Sequence, residues 1–260
     1  MFKKITLVLN FLIIVALGVN AQSLNWNKNL VIAHRGAWKT KSLPQNSIAS
    51  LKEAIRLNCY GSEFDVHLTA DSIPVVNHDA DFLGIKIETS TYAQLLEKEL
   101  PNGEKIPTLE AYIKEGLKQN KTKLILELKP SVVSKERGQL LASIAVKMVE
   151  RLNAKKWVDY ISFDYDMLKK IIELDPKAHV QYLKGEIDPD QLLKDKMSGL
   201  DYHHSVFKKN PTWIEMAKKN KLVSNVWTVN LEEDLKYFLD QKVDLITTDE
   251  PELLLKLIKN

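Results

Sequence analysis

Cysteine is nearly absent from this chain of 260 residues, in which Cys59 is the one cysteine. An intramolecular disulfide is therefore excluded, as are the zinc sites that depend on several spaced cysteines. Cys59 lies in an apolar setting and is expected to be inert packing. A chain of this length buries a core large enough to fold without a cross-link.

The sequence also lacks an excess of either charge. The formal net charge is +3, and the lysine pairs at 155–156, 208–209 and 218–219 are scattered along the chain. A balance this close to neutral creates no field that draws in nucleic acid, so we expect no nucleic-acid partner. With 45% hydrophobic and 27% charged residues, the composition is that of a globular domain.

Long hydrophobic runs are absent except at the N-terminus, where Lys3 and Lys4 precede an apolar stretch over residues 5–19. A positive start, an apolar run and a small residue at Ala21 are typical of a secretory signal cleaved before Gln22. A retained anchor is the alternative, but a bilayer span needs about 20 apolar residues. We expect a signal peptide at residues 1–21, a single domain at 25–260, and a periplasmic or secreted protein with no stable membrane anchor.

Short apolar runs alternate with longer amphipathic ones through the rest of the chain. Helical spacing predicts α-helices at residues 47–57, 108–117, 139–152, 167–174, 211–217, 232–239 and 251–258. The short runs predict β-strands at residues 30–33, 63–68, 73–77, 123–128, 160–163, 180–183, 222–228 and 244–247. This alternation indicates an α/β protein with a parallel sheet, and about eight units fit a (β/α)₈ TIM barrel.

The barrel is expected to be slightly irregular. Residues 199–201 are a candidate ninth strand, and the link between Asp65 and Ile73 is too short for a helical crossover. An open doubly wound sheet is the alternative architecture. The first predicted strand, however, is followed by His34-Arg35-Gly36 rather than by a glycine-rich phosphate loop.

Three carboxylates stand on predicted strands. Glu63 and Asp65 are two residues apart, so both side chains point to the same side of their strand. If that side is the barrel interior, the two acids are buried together, and Glu127 at the end of a third strand could join them. Buried charges need an ion-pair partner or a metal. Three oxygen-bearing ligands suit Mg²⁺ or Ca²⁺ rather than zinc. The alternative is that the acids face solvent or pair with Arg35 and Lys129.

Two of the six histidines follow predicted strands directly. His34 is next to Arg35 and His78 is next to Asp79, and this shared setting favours acid–base chemistry near neutral pH. His67 is expected to pack towards helices rather than to join this pair. His203 and His204 are adjacent, so on a strand they point opposite ways and make a poor joint site.

Positive charge is expected at the same edge of the sheet, from Arg35 and Lys129. With a divalent ion, they suit a phosphate that carries one negative charge. A serine-hydrolase mechanism is not indicated, because the chain has no Gly-x-Ser-x-Gly elbow.

The ordered motifs of this sequence resemble the glycerophosphodiester phosphodiesterases, a family of the phospholipase-C-like phosphodiesterase superfamily with a TIM-barrel fold. The resemblance runs from about Val31 to Pro251. The matching segments are His34-Arg35-Gly36, Pro44-Gln45-Asn46-Ser47, Glu63-Phe64-Asp65-Val66, Pro74-Val75-Val76-Asn77-His78-Asp79, Pro107-Thr108-Leu109-Glu110, Leu126-Glu127-Leu128-Lys129, Ser162-Phe163, Trp227-Thr228-Val229-Asn230 and Ile246-Thr247-Thr248-Asp249-Glu250-Pro251.

The resemblance implies an enzyme that uses a divalent ion, Mg²⁺ or Ca²⁺, to hydrolyse glycerophosphodiesters to glycerol 3-phosphate and an alcohol. In the family, the nucleophile can be the glycerol hydroxyl of the substrate, which gives a cyclic phosphate before water opens it. Residues 81–105 look like the small insertion such enzymes carry after the third strand. The implied site residues are Glu63, Asp65 and Glu127 for the metal, His34 and His78 for acid–base catalysis, Arg35 and Lys129 for the phosphate, and Trp227 and Asn46 for the substrate.

One position departs from the family pattern. Gln45 stands where the family usually has Glu, so a charge is missing from that place. Two other functions stay open at this point. One is a lipid-directed phospholipase of the same barrel, which predicts an exposed apolar rim around the active face. The other is a non-catalytic descendant that binds phosphodiesters or glycans, which predicts the loss of a ligand or a histidine.

Overall fold

The computed structural model describes residues 25–259, and eight parallel strands within them close into a barrel with helices on the outside. The eleven strands of these residues are β1 (Val31–Ala33), β2 (Gly61–Leu68), β3 (Pro74–Val76), β4 (Asp81–Phe82), β5 (Ile85–Lys86), β6 (Lys123–Leu128), β7 (Val158–Ser162), β8 (His179–Tyr182), β9 (Gly199–His203), β10 (Val223–Trp227) and β11 (Leu245–Thr248).

Ten α-helices connect and cover these strands in the described part of the chain. They are α1 (Ile48–Arg56), α2 (Tyr92–Leu95), α3 (Leu109–Gly116), α4 (Lys135–Arg151), α5 (Tyr165–Leu174), α6 (Pro189–Lys194), α7 (His204–Lys209), α8 (Trp213–Lys219), α9 (Glu232–Asp240) and α10 (Pro251–Leu257). The short helices α2, α6 and α7 are absent from the sequence prediction, because four to six residues are too few to show a helical period.

The barrel closes where its first strand meets its last. Strand β1 pairs in parallel with β2 on one side and with β11 on the other, with Ala33 opposite Ser62 and Thr248 respectively. The remaining barrel strands follow in the order β2, β6, β7, β8, β9, β10 and β11. The prediction of a slightly irregular TIM barrel is therefore confirmed.

The irregularity lies at β3, which is antiparallel to β2 with Val76 opposite Val66. The short link after β2 forms a hairpin, so residues 73–77 contribute no barrel strand. The candidate ninth strand at residues 199–201 is instead the sixth barrel strand, β9. The insertion after β3 holds β4, β5, a 3₁₀ turn at Ile87–Thr89 and α2. It has a small core of its own, formed by Val75, Phe82, Ile87, Leu95 and Ile106.

Side chains alternate along the barrel strands as the pleat requires. On β2, Phe64 and Val66 point outwards and are buried in the core between barrel and helices. Inside the barrel, an apolar layer forms from Ile32, Ile125, Ile161, Leu183 and Leu245. Each such fully buried side chain contributes about 1.5–3 kcal/mol. Ile125 lies two residues before Glu127 on β6, so the carboxylates sit above an apolar floor on the same inward face.

No helix among residues 25–259 has the length and hydrophobicity that a membrane crossing requires. The predicted signal peptide at residues 1–21 lies outside the described residues, and its cleavage stays a prediction.

Candidate active site

The carboxyl ends of the barrel strands surround a cavity of about 260 Å³. Seven residues singled out from the sequence share its walls, although they come from five separate segments of the chain. They are His34, Arg35, Glu63, His78, Glu127, Lys129 and Trp227. The polar ends of parallel strands meet at one face of a barrel, and active sites of barrel enzymes occupy that face.

Three acidic side chains meet at the wall of this cavity, and two of them, Glu63 and Glu127, line it. Asp65 on β2 lies directly opposite Glu127 on β6 in the parallel register, and Glu63 is one pleat below Asp65. One oxygen from each of Glu63, Asp65 and Glu127 lies within 4.8 Å of the other two. All three residues are buried, with at most 7% of their surface exposed. The strand register thus brings together three acids that span 64 positions of the sequence, from Glu63 to Glu127.

The three acids repel one another in this buried position. Burial raises the pKa of Glu63 well above its ordinary value, and the charges of Asp65 and Glu127 raise it further. Burial also raises the pKa of Glu127. Burial opposes ionisation of Asp65 too, but Lys129 and His78 outweigh it and hold the pKa of that carboxyl below its ordinary value.

Lys129 bridges two of the carboxylates. Its Nζ lies 3.0 Å from Asp65 Oδ1 and 2.8 Å from Glu127 Oε1. Glu63 Oε1 is buried and has no hydrogen-bond partner among residues 25–259. The cluster thus keeps a buried carboxylate oxygen without a donor, and a divalent cation with hard oxygen ligands fits this donor set.

A tight turn after β1 carries the first histidine and arginine. Arg35 has a φ of +54° and Gly36 a φ of +80°. The Arg35 backbone N–H donates to Glu63 Oε2 at 2.8 Å, which ties the turn to the acid cluster. A Cβ on Gly36 would lie 2.4 Å from Ser50 Oγ, so the chain requires glycine here both for its φ and for its close approach to α1.

The Arg35 guanidinium is held beside the acids by a neutral partner. Its Nη1 donates to Gln45 Oε1 at 2.8 Å, and its Nε lies 3.7 Å from Asp65 Oδ2. Because Gln45 is uncharged, it fixes the position of the guanidinium without neutralising it. The departure from the family pattern therefore leaves the positive charge of Arg35 available to the cavity.

His34 is oriented by a residue to which the sequence assigns no role. His34 Nδ1 lies 2.7 Å from Asp249 Oδ1, and the Nε2 atom of the same ring lies 4.0 Å from Glu63 Oε2. Asp249 also accepts hydrogen bonds from Asn230 Nδ2 at 2.7 Å and from Trp38 Nε1 at 3.3 Å. Burial opposes the ionisation of Asp249, but the hydrogen bonds from His34, Asn230 and Trp38 hold its pKa below the ordinary value.

His78 approaches the acids from the hairpin rather than from a barrel strand. Its Nδ1 lies 2.7 Å from Asp79 Oδ1, a carboxylate whose side chain is 76% exposed. Burial lowers the pKa of His78, and Lys129 adds to that effect, although Asp65 and Asp79 act in the opposite direction. His67, predicted to face outwards, is buried, and its Nε2 lies 3.0 Å from the backbone oxygen of His78. The structure thus places His67 as a support for the segment that carries His78.

Trp227 and Asn46 occupy different places. Trp227 lines the cavity, where its ring contacts Phe163 edge to face at 5.5 Å and its Nε1 donates to the backbone oxygen of Asp201 at 2.9 Å. Asn46 is 3% exposed and lies behind the acid cluster rather than in the cavity wall. It donates to Asp65 Oδ2 at 2.8 Å and accepts from the Asp65 backbone N–H at 3.1 Å. Asn46 thus fixes a candidate metal ligand, which differs from the substrate contact expected of it.

Three polar residues near the cavity were not singled out from the sequence: Asp249, Asn230 and Asp201. Asp249 directly follows an apolar strand, as His34 does, and stands in a segment that matches the family, so both signals could have indicated it. Its proximity to His34 depends on closure of the barrel between β1 and β11. Asp201 lies inside β9, and its inward orientation could not be read before that segment was known to be a barrel strand.

Comparison with known proteins agrees with the fold. The model of the glycerophosphoryl diester phosphodiesterase family matches residues 34–253. A glycerophosphodiester phosphodiesterase of Caldanaerobacter subterraneus subsp. tengcongensis is 32% identical, over 89% of this chain and 98% of that protein. The crystal structure of a glycerophosphodiester phosphodiesterase from Parabacteroides distasonis has a TM-score of 0.86 and 46% identity, over 90% of this chain and 98% of that one.

A further similar structure contains a ligand. It is an Oleispira antarctica phosphodiesterase in complex with the product sn-glycerol-3-phosphate, with a TM-score of 0.77 and 25% identity. The match covers 91% of this chain and 98% of that chain.

Proposed function

The chain belongs to the glycerophosphoryl diester phosphodiesterase family, and we propose that it uses a divalent ion to hydrolyse glycerophosphodiesters to glycerol 3-phosphate and an alcohol. One observation carries the proposal. Three buried carboxylates have oxygens within 4.8 Å of one another, and two of them, Glu63 and Glu127, line a cavity together with two histidines and two cationic side chains. The Oleispira antarctica complex with sn-glycerol-3-phosphate supports the proposed product.

Glu63, Asp65 and Glu127 are the residues that would hold the ion. Their carboxylate oxygens match the ligand preference of Mg²⁺ and Ca²⁺, and Asn46 keeps Asp65 in place for this role. When bound, the ion would lower the pKa of a hydroxyl nucleophile and offset negative charge on the phosphate. It would also offset the charges of Asp65 and Glu127, which add to burial in raising the pKa of Glu63.

Arg35 and Lys129 bind the phosphate in this account. Both line the cavity and lie within 4 Å of Asp65, and the Gln45 side chain that holds the Arg35 guanidinium is uncharged. Two cations that converge on the non-bridging oxygens would orient the phosphorus for in-line attack and stabilise the charge that develops there.

The two histidines move the protons. Burial keeps the pKa of His78 low, so its neutral ring is suited to accept the proton of the attacking hydroxyl as a new P–O bond forms. His34 is suited to donate a proton to the oxygen of the departing alcohol as the second P–O bond breaks. Where the attacking hydroxyl belongs to the glycerol, this step leaves a cyclic phosphate, and water then adds to the phosphorus and opens one ring P–O bond to give glycerol 3-phosphate. Asp249 holds His34 through Nδ1, which leaves Nε2 directed towards Glu63 and the cavity. General acid–base contributions of this kind are typically about 10²–10⁴-fold each.

The test compares turnover of glycerophosphocholine and glycerophosphoethanolamine with Mg²⁺, with Ca²⁺ and with chelator. We expect turnover with at least one ion and none with chelator. His34→Ala and His78→Ala should each lower kcat by at least about 10²-fold. His179→Ala is the matched control, because His179 is exposed and lies at the opposite end of the barrel at the start of β8. Turnover that persists in chelator would remove the metal ion from the mechanism. Near-normal activity of either active-site variant would remove that histidine from it.

A lipid-directed activity is the second candidate, and one observation favours it. Leu83, Val132 and Val133 are 53%, 72% and 52% exposed. Leu83 lies in the β4–β5 turn of the insertion that follows His78, and the two valines lie in the loop that follows Lys129. Glu88 joins these loops by accepting hydrogen bonds from Ser131 Oγ at 3.0 Å and Val132 N at 2.8 Å. Preferential turnover of lysophosphatidylcholine over glycerophosphocholine would identify this activity.

A further inference from the structure

A second cavity lies at the end of the barrel opposite to the candidate active site. Its volume is about 420 Å³, within the range that small-molecule sites occupy. The loop between α4 and β7, the loop between α5 and β8 and the start of β6 form much of its wall. No residue of the described chain lines both this second cavity and the active-site cavity.

The second cavity holds a tyrosine hydroxyl that has no partner. Tyr160 on β7 points outwards from the barrel, is 3% exposed and lines the cavity. Its hydroxyl makes no hydrogen bond to any of residues 25–259. Burial raises the pKa of Tyr160, so the hydroxyl keeps its proton at neutral pH. A polar group in so buried a side chain normally has a partner, and here a ligand in the cavity can accept its hydrogen bond.

Two exposed lysines stand at the rim of the second cavity. Lys156 lies in the loop before β7 and Lys177 in the loop before β8. Neither ammonium group pairs with an acid in the described part of the chain. The Lys177 backbone N–H donates to Asp175 Oδ1 at 3.2 Å, which holds its loop in place. These two rim lysines therefore offer charged donors to the cavity.

The other charged groups around the cavity pair with one another. Lys123 Nζ lies 2.7 Å from Asp159 Oδ1. Lys155 Nζ lies 3.0 Å from Glu150 Oε1 and 3.2 Å from Asp175 Oδ2. One acid is in excess in this set, and the two rim lysines outweigh it. The second cavity is therefore positively charged, and its uncompensated charge is at the rim.

An aromatic side chain forms one side of the second cavity. Trp26 is half-buried, lines the cavity and meets Trp157 edge to face at 5.6 Å. Lys123 Nζ lies 5.5 Å from the centre of the Trp26 ring. The backbone N–H of Asn27 donates to the Lys121 oxygen at 2.8 Å, which fixes the segment to the barrel. An aromatic surface next to cationic donors suits an anion that carries an apolar group.

We propose that the second cavity binds a small organic phosphate monoester. Lys156, Lys177 and the Tyr160 hydroxyl hold the phosphate, and the apolar portion of the ligand packs on Trp26. Three donors from three segments match the three terminal oxygens of a monoester, whereas a carboxylate has only two. The site is separate from the acid cluster, so it goes beyond the proposed hydrolysis and does not depend on it.

The test follows the binding of phenyl phosphate, which joins a phosphate monoester to an aromatic ring. The indole N–H signals of the five tryptophans are recorded by nitrogen–proton correlation NMR in chelator, and Trp26→Phe identifies the Trp26 signal. Trp26 reports the second cavity and Trp227 reports the active site. We expect a saturable shift of the Trp26 signal. Inorganic phosphate and benzyl alcohol each carry one half of the probe, and each should bind at least about tenfold more weakly.

Two variants test the donors. The double variant Lys156→Gln/Lys177→Gln should weaken the binding of phenyl phosphate at the Trp26 signal by at least about tenfold. Tyr160→Phe removes only the hydroxyl and should weaken it several-fold. The matched control is Lys218→Gln/Lys219→Gln, which removes the same charge from two exposed lysines at the end of α8, outside the cavity. This control should bind as the wild type does.

Each contrary result overturns the proposal. A Trp26 signal that does not move, or a shift confined to Trp227, shows that the second cavity does not bind the probe. Equal affinities for phenyl phosphate and inorganic phosphate show that Trp26 contributes nothing. Equal weakening in the two double variants shows general attraction to a basic protein. None of these measurements uses turnover, so failure of the proposed hydrolysis would leave this result unchanged.

Discussion

His34 and Asp249 are 215 positions apart in the sequence, and their side chains are joined by a contact of 2.7 Å between Nδ1 and Oδ1. The contact exists because β1 pairs with β11, which places Ala33 opposite Thr248 and the next residue of each strand at the same edge. The first and last strands of the barrel therefore each supply one partner. A histidine held in this way keeps one ring nitrogen free and correctly directed for proton transfer.

Asp249→Asn should lower kcat by at least about 10²-fold while leaving the fold intact, because an amide neither orients His34 equally well nor supports a positive charge on it. Steady-state kinetics and thermal unfolding together check this expectation. Glu250→Gln is the charge-matched control, since Glu250 forms a partly exposed ion pair with Lys39 outside the cavity. Equal losses of activity in the two variants would contradict a specific role for Asp249.

The sequence predicts which residues meet around the cavity better than it predicts their arrangement. The alternation of strands and helices indicates a barrel, and the spacing of Glu63 and Asp65 correctly predicts that both point to one side of a strand. The contacts that depend on closure or on a hairpin are not local. The pairing of His34 with Asp249 requires knowledge that β1 meets β11, and β3 is indistinguishable by pattern from a barrel strand. Asn46 has a φ of +59°, and this local conformation, which no periodicity reveals, turns it towards Asp65.

Glu63→Gln should stabilise the metal-free protein at neutral pH. Folding raises the pKa of Glu63. The unfolded state therefore loses the Glu63 proton above pH about 4.3, while the native state still binds it. The free energy of unfolding of the wild type consequently falls as the pH rises above that value. The Glu63→Gln variant avoids this loss of stability, and its side-chain oxygen can still accept a hydrogen bond from the Arg35 backbone N–H. Melting temperatures of the two proteins, measured in chelator from pH 5 to 8, check this expectation. Each kcal/mol of added stability should raise the melting temperature of the variant by about 2–4 °C.

Glu53→Gln gives the opposite sign and serves as the control. Hydrogen bonds from Arg56 and Lys41 lower the pKa of Glu53 to about 2, against the effect of burial. A carboxyl whose pKa is lowered by folding contributes stability above its unfolded pKa, and this contribution is lost as the pH falls. The glutamine variant should therefore be destabilised at neutral pH. A drop in melting temperature for Glu63→Gln, like that for Glu53→Gln, would contradict the account of the acid cluster.

Gly36→Ala should destabilise the protein and disrupt the site, because the new Cβ would meet Ser50 Oγ at 2.4 Å. Gly84→Ala is the control, since Gly84 also has a positive φ, +88°, but has no atom within 4 Å of its Cβ position. The control isolates the conformational cost, about 1–2 kcal/mol, and should keep its activity. Chemical denaturation and kcat distinguish the two variants, and similar losses in both would show that the close approach to α1 is unimportant.

Gln45→Glu should weaken substrate binding more than it slows turnover. The new carboxylate would neutralise Arg35, whose Nη1 it would contact in place of the Gln45 amide oxygen. A weaker positive potential at the phosphate should raise KM several-fold, about 1 kcal/mol in binding. A change confined to kcat would instead place Gln45 in the chemical step.

The central claim is that the acid cluster serves a metal-dependent phosphodiesterase that releases glycerol 3-phosphate. A phosphorus NMR time course of glycerophosphocholine tests it directly, with the purified protein in Mg²⁺ or Ca²⁺ and in parallel with chelator. The account predicts that the diester signal is replaced by that of glycerol 3-phosphate with at least one ion and persists with chelator. An unchanged diester signal with both ions, or its replacement by phosphocholine, would contradict the account.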